Sequence, residues 1–237
     1  MSSIYKILME ITIKDSPNHS SRRRGKKDIK FIIIHYTGMQ SERVSLKRLM
    51  SPKSKVSSHF FINRSGKIYK LVNENKIAWH AGKSKWRNVI NLNASSIGIE
   101  LVNKGHRFGY EKFPSKQINA TKFLIQKLKK KYKIKPKNIL GHSDIAPLRK
   151  IDPGEKFPWI KLGLLKKYKL NNLIVLKKKE FRKTFFANLY KHGYRYFNKV
   201  KPAKTDTKIV KAFQRRFRQK NINGLIDAET LKLSFKL

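Results

Sequence analysis

Short apolar runs separated by polar turns dominate the first two thirds of the chain and predict β-strands. Residues 31–35 form a continuous, β-branched run, which is typical of a short strand buried on both faces. A turn-forming segment, Arg64-Ser65-Gly66, separates two further runs and predicts a β-hairpin. The remaining strand-like runs are residues 58–63, 67–72, 97–102 and 138–140.

Helical periodicity follows the strand-like region. Ala120, Leu124 and Leu128 recur at i, i+4 spacing, and this pattern predicts an amphipathic helix. Ser115 is the expected N-cap of this helix, and Pro136 is expected to end it. A second, shorter helix is predicted for residues 45–50.

The composition changes after Trp159, and the C-terminal residues predict a small helical module. Apolar stripes lie within residues 185–190 and 209–217, with Asp206 and Asp227 as expected helix caps. We therefore predict a larger N-terminal domain, a connector and a small helical domain. Their expected ranges are residues 1–168, 169–180 and 181–237.

The chain carries 57 Lys and Arg against 14 Asp and Glu, a formal net charge of +43. Such charge suggests a nucleic acid, an anionic polymer such as a cell wall, or a lysine-rich background on solvated faces. The basic residues are spread over the whole chain without an Arg/aromatic reading element, which weakens the nucleic-acid interpretation. The apolar runs are far shorter than the roughly 18 residues of a membrane span.

The absence of cysteine excludes disulfides, thiolate metal sites and a cysteine nucleophile. Acidic residues are scarce, yet Asp144, Asp152 and Glu155 cluster within fourteen residues of sequence. Acids that persist in so basic a background are candidates for a function, with capping and ion pairing as the alternative.

Two histidines and one of these acids form a plausible metal-ligand set. His35 ends the predicted buried strand, and His142 follows another short apolar strand, ten residues before Asp152. The carboxyl ends of strands are where α/β sheets place ligand sites. Two imidazoles and a carboxylate leave a fourth zinc position open for water. His59, His80 and His106 compete as ligands on spacing alone, and a strand-end histidine is often only structural.

Six short motifs follow one another along the chain. They are Ile34-His35-Tyr36-Thr37, Ser57-Ser58-His59-Phe60, Trp79-His80-Ala81-Gly82, Ile97-Gly98-Ile99-Glu100, Gly141-His142-Ser143-Asp144 and Lys150-Ile151-Asp152-Pro153-Gly154. Taken together and in this order, they resemble the zinc-dependent N-acetylmuramoyl-L-alanine amidases of the amidase-2 family, which is related to peptidoglycan-recognition proteins. The resemblance covers about residues 15–165 and is nearest to bacterial enzymes acting on anhydro-muropeptides and murein. It implies an α/β fold with a mixed central β-sheet flanked by helices.

The resemblance also implies a role for individual residues. One zinc ion would be held by His35, His142 and Asp152. Glu100 would activate the attacking water and Lys150 would help to stabilise the transition state. The implied substrate-groove residues are Trp79, His80, Ala81, Gly82 and Trp86. Glu155 departs from the family pattern, where many relatives carry a proline.

The C-terminal segments 210–214 and 223–231 resemble a three-helix peptidoglycan-binding domain. The expected function is hydrolysis of the amide between N-acetylmuramic acid, or its 1,6-anhydro form, and L-alanine in bacterial cell-wall turnover or recycling. The alternative is a non-catalytic peptidoglycan-recognition protein. The expected partners are peptidoglycan and muropeptides rather than nucleic acid. The substrate favours the cell envelope or periplasm. The cytoplasm is the alternative, because residues 1–13 show no clear signal peptide.

Overall fold

A computed structural model describes residues 10–166, 168 and 177–237 of the chain. Most of the expected connector, residues 169–176, and most of the segment searched for a signal peptide, residues 1–9, lie outside the described residues. By packing, the chain divides into two compact units. The first contains residues 10–80 and 93–139, and the second contains residues 81–92 and the described part of 140–237. The three predicted domain ranges stay a prediction.

The strands are β1 (Ile11–Ile13), β2 (His19–Arg23), β3 (Phe31–Tyr36), β4 (Phe60–Ile62), β5 (Ile68–Lys70), β6 (Lys76–Ala78), β7 (Lys85–Trp86), β8 (Val89–Ile90), β9 (Ser96–Leu101) and β10 (Ile139–Gly141). The helices are α1 (Glu42–Met50), α2 (Ser115–Tyr132), α3 (His142–Ile145), α4 (Phe181–His192), α5 (Asp206–Phe217) and α6 (Ala228–Ser234). Among the described residues, no helix is both long enough and apolar enough to cross a membrane.

The central sheet is mixed, as expected, with strand order β1-β5-β4-β9-β3-β10. β3 and β4 both run parallel to β9, whereas β4 and β5 form the predicted antiparallel hairpin. β3 is buried from Phe31 to His35, because its continuous apolar sequence suits a strand covered on both faces. β2 pairs with β6, and β7 pairs with β8, in two small antiparallel sheets.

Helix α2 covers the first unit with the apolar face that its periodicity predicts. Ala120, Leu124 and Leu128 are all buried on it. The side-chain amide of Gln117 donates to the carbonyl oxygens of Ile62 and Val102, at 3.0 and 3.1 Å, beside the ends of β4 and β9. The expected Ser115 cap is wrong: Pro114 occupies the N-cap position, and Ser115 is the first helical residue.

In the second unit, α4, α5 and α6 form the predicted helical module. Phe185 of α4 packs edge-to-face on Phe213 of α5, with ring centroids 5.1 Å apart. Asp227 caps α6 by accepting a hydrogen bond from the Thr230 amide at 2.9 Å, as predicted. The expected Asp206 cap is wrong, because Asp206 is the first residue of α5 and its carboxylate pairs with Arg182.

Candidate active site

His35 and Glu100 lie side by side in the central sheet. They are register partners in the parallel pair β3 and β9, one residue before the carboxyl end of each strand. Register partners on neighbouring strands point to the same face of a sheet. The sheet therefore presents an imidazole and a carboxylate together, where α/β folds place their active sites.

His80 is buried directly behind His35. Its Nδ1 lies 3.1 Å from Nε2 of His35, and its Nε2 lies 3.3 Å from the Ser96 hydroxyl. Such a contact holds the ring of His35 in one orientation, as partners of metal-binding histidines commonly do. Gly98 provides the room, since a Cβ there would stand 2.5 Å from Cγ of His80.

Gly98→Ala is expected to destabilise the protein by about 1–3 kcal/mol, because the added methyl group must displace the His80 ring or the strand. Urea denaturation measures the change. Gly25→Ala is the matched control, since its Cβ would meet only Asp28 Oδ2 at an ordinary 3.7 Å. Equal stability of the two variants would contradict the proposed packing.

His59 is a buried neutral histidine and not a competing metal ligand. The Gly98 amide donates to its Nδ1 at 3.0 Å, and the Arg24 guanidinium lies 2.7 Å from its Nε2. Burial, followed by the charge of Arg24, holds the pKa of His59 well below its usual value. Burial likewise lowers the pKa of Arg24, to about 10. His106, the other alternative, lies 2.9 Å from the Tyr36 hydroxyl and stacks on Tyr110.

Acidification is expected to destabilise the protein through His59. An unfolded histidine has a pKa of about 6.5, and the folded value is lower, so only the unfolded state takes up a proton just below that pH. The contribution is fully present above about pH 6.5 and is lost at lower pH by up to about 1.4 kcal/mol per pH unit. Urea denaturation at about pH 7.5 and about pH 5.5 measures this loss. His59→Asn should show a smaller loss, and an equal loss would contradict the assignment.

His142 and Asp152 form a close pair in the second unit. Nδ1 of His142 lies 3.1 Å from Oδ2 of Asp152, and both side chains are buried. Nε2 of His142 lies 3.1 Å from the carbonyl oxygen of Ala81. The Ser143 amide also donates to the backbone carbonyl of Asp152 at 2.9 Å. The backbone and side chains therefore both hold the two residues together.

Arg149 contacts the region around this pair. The sequence did not predict a place for Arg149 in the site. Its guanidinium donates to the carbonyl oxygens of Ala81 and Lys83 and lies 3.3 Å from Nε2 of His142. Partial burial lowers the pKa of Arg149. Lys150 is half-buried, and its amide donates to the Ala146 carbonyl at 3.0 Å, in the turn between His142 and Asp152. Nothing in the sequence of a basic chain distinguishes Arg149 from its neighbours.

Three of the five expected substrate-groove residues are buried. Trp86 is fully buried, and its ring packs on Tyr194 with centroids 4.9 Å apart. Ala81 is also fully buried, and His80 is buried against His35. The side chains of these three residues therefore pack within the protein, and their place in the wall of a substrate groove stays a prediction. Trp79 is half-buried and Gly82 is exposed.

The two imidazoles and the carboxylate of the predicted ligand set are brought together. His35, His142 and Asp152 each offer one ligand atom, and the three atoms lie within 4.8 Å of one another. A family model described as N-acetylmuramoyl-L-alanine amidase matches residues 25–155. The chain belongs to this amidase family.

Individual proteins are also similar to this amidase. The N-acetylmuramoyl-L-alanine amidase AmiD of Escherichia coli K12 is 36% identical over 222 residues, which cover 85% of this chain and 79% of AmiD. The 1,6-anhydro-N-acetylmuramyl-L-alanine amidase AmpD of Haemophilus influenzae is 33% identical over 159 residues, 60% of this chain and 84% of AmpD. AmpDH3 of Pseudomonas aeruginosa, solved in complex with anhydromuramic pentapeptide, aligns with a TM-score of 0.75 at 30% identity. That alignment covers 92% of this chain and 95% of AmpDH3. These similarities confirm the expected fold.

Proposed function

We propose that the amidase is a zinc hydrolase of peptidoglycan. It cleaves the amide between the lactyl group of N-acetylmuramic acid, or of its 1,6-anhydro form, and L-alanine, in cell-wall turnover or recycling. The convergence of His35, His142 and Asp152 in a chain of this family carries the proposal. The naming of AmiD and AmpD as muramoyl-alanine amidases supports the choice of bond.

The donor set fits zinc. Two imidazole nitrogens and one carboxylate oxygen are ordinary ligands of a catalytic zinc ion. The Ala81 carbonyl faces Nε2 of His142, which supports a proton on this nitrogen and Nδ1 as the ligand atom. Contact of Nε2 of His35 with His80 likewise supports Nδ1 as the ligand atom of His35. Zinc, when bound, supplies Lewis-acid polarisation of the carbonyl and acidifies water.

Glu100 is the proposed general base and acid. Its carboxylate takes a proton from the attacking water as the new carbon–oxygen bond forms at the lactyl carbonyl. It then gives that proton to the alanine nitrogen as the carbon–nitrogen bond breaks. The products are a lactyl carboxylic acid and a free α-amine on L-alanine. Its position beside His35 in the sheet register supports this role.

Lys150 and the partly exposed groove residues complete the proposal. The Lys150 ammonium would stabilise the negative charge that develops on the carbonyl oxygen, since its backbone lies in the turn that joins the two ligands of the second unit. Trp79 and Gly82 remain the proposed substrate contacts.

We also propose that α4–α6 bind peptidoglycan and that the protein works in the envelope or periplasm, where intact wall is found.

Metal analysis combined with mass spectrometry tests the function directly. We expect the purified amidase to contain about one zinc per chain and to release peptides with a free N-terminal L-alanine from murein and from anhydro-muropeptides. Binding of murein without product would favour the non-catalytic recognition protein instead. Products cut at a glycosidic or peptide–peptide bond would contradict the proposed bond.

A further inference from the structure

Asp144 carries a buried charge in the same short helix as the proposed zinc ligand His142. Its side chain is 1% exposed. Its Oδ2 accepts a hydrogen bond from the Gly141 amide at 2.8 Å, directly before His142 in the chain. The two other groups that donate to this carboxylate come from the C-terminal residues of the same unit. The carboxylate thus ties the backbone at His142 to distant side chains.

Arg216 of α5 is the first of these donors. Its Nη1 lies 2.5 Å from Oδ2 of Asp144, and its side chain is only 5% exposed. The guanidinium also lies over the ring of Trp159, 4.2 Å from its centre. Burying two charges is costly unless they are paired, so each of them holds the other in place. Removing Arg216 leaves the Asp144 charge without its counter-ion.

Tyr194 is the second donor. Its hydroxyl donates to Oδ1 of Asp144 at 2.6 Å, and its ring is fully buried against Trp86. Burial and the neighbouring Asp144 charge raise the pKa of Tyr194 well above its usual value, so that the hydroxyl keeps its proton. The backbone at Gly193 touches Trp86 closely, since a Cβ there would stand 2.4 Å from Cε2 of the indole. The Tyr194 ring is therefore buried and closely packed on Trp86 where its hydroxyl meets Asp144.

We propose that Arg216 and Tyr194 are positioning residues of the metal centre, acting through Asp144 on His142. The C-terminal helical region then has a role in catalysis on every substrate, in addition to any binding of the wall. This inference rests on the proposed function, because it assumes that His142 is a zinc ligand. Loss of an outer-shell partner typically lowers metal affinity or activity by about 10–100-fold, and we expect losses of that size here.

The test uses the full-length, zinc-loaded amidase and the variant Arg216→Met, which keeps much of the side-chain length and removes the charge. Competition with a chelator measures zinc affinity, and the absorption spectrum of the cobalt-substituted protein reports on ligand geometry. Turnover is measured on a small soluble anhydro-muropeptide, so that wall binding does not contribute. We expect about 10–100-fold weaker zinc binding, an altered cobalt spectrum and a lower kcat. Arg216→Lys should restore part of each.

Arg218→Met is the matched control. Arg218 follows α5 and pairs with Asp227 at 2.7 Å and with Glu229 at 2.5 Å, so this substitution also removes ion pairs of the helical region without touching Asp144. Its zinc affinity and cobalt spectrum should equal those of the unmodified protein. Unchanged zinc affinity and spectrum in Arg216→Met, or equal losses in the two variants, would overturn the inference.

Tyr194→Phe provides a second variant in case Arg216→Met does not fold. It removes one hydroxyl and leaves the buried ring, and we expect a smaller loss of zinc affinity in the same direction. An unchanged affinity and spectrum in this variant would then overturn the inference. Failure of the proposed function has a different signature, because the unmodified protein would itself bind no zinc or release no product.

Discussion

Glu100→Gln is expected to lower kcat by about 10²–10⁴-fold while zinc content and folding are preserved. The substitution keeps the shape of the side chain in β9 but removes its capacity to take a proton from water and return it to the alanine nitrogen. Because Glu100 is not a proposed ligand, the three zinc ligands stay intact. Steady-state kinetics on an anhydro-muropeptide and metal analysis of the same sample measure the two quantities together.

Glu111→Gln is the matched control for this variant, since it makes the same chemical change at a carboxylate that pairs with Arg64 at the surface. We expect its kcat to be unchanged and its stability to fall by no more than about 1 kcal/mol. Near-normal turnover of Glu100→Gln would show that another group moves the proton. Loss of zinc from that variant would instead indicate that Glu100 contributes to metal binding.

His35→Ala is expected to abolish both zinc binding and hydrolysis. The variant removes one of three proposed ligands, so zinc affinity should fall by more than the roughly 10–100-fold that loss of an outer-shell partner costs. Metal analysis after dialysis measures retained zinc, and mass spectrometry of digested murein measures product. The zinc and activity losses should appear together, which separates this variant from Glu100→Gln.

His106→Ala is the control for the histidine. His106 competes with His35 as a ligand on sequence grounds, yet in the structure it is exposed and bonded to Tyr36. This variant should keep its zinc. Loss of zinc from His106→Ala together with its retention in His35→Ala would reverse the assignment of the ligand.

The sequence predicted those parts of the site that depend on local pattern. The buried strand that ends near His35 and the apolar face of α2 follow from periodicity, and the proposed ligand set rests on residue type and on the order of the motifs. The two-residue strands β7 and β8 were not predicted, because so short a segment carries no periodicity.

Contacts between residues that are distant in the chain could not be predicted from the sequence either. Asp144 stood out as a scarce acid, but nothing in its surroundings indicated that Arg216 and Tyr194 would donate to it. The packing of Trp86 on Tyr194 was not predicted either, because a tryptophan beside a motif has the same local sequence whether it faces substrate or packs on another ring. Only the three-dimensional path of the chain distinguishes these possibilities.

The proposed hydrolysis depends on the register in which β3 pairs with β9. A slip of one residue between paired strands turns every side chain of one strand to the opposite face. After such a slip, His35 and Glu100 would project from opposite sides of the sheet, even though both strands would still be hydrogen-bonded and largely apolar. If Glu100 is the base, measuring hydrolysis therefore reports whether β3 and β9 are paired in the correct register. It would distinguish a correctly paired sheet from a compact protein whose strands are misaligned.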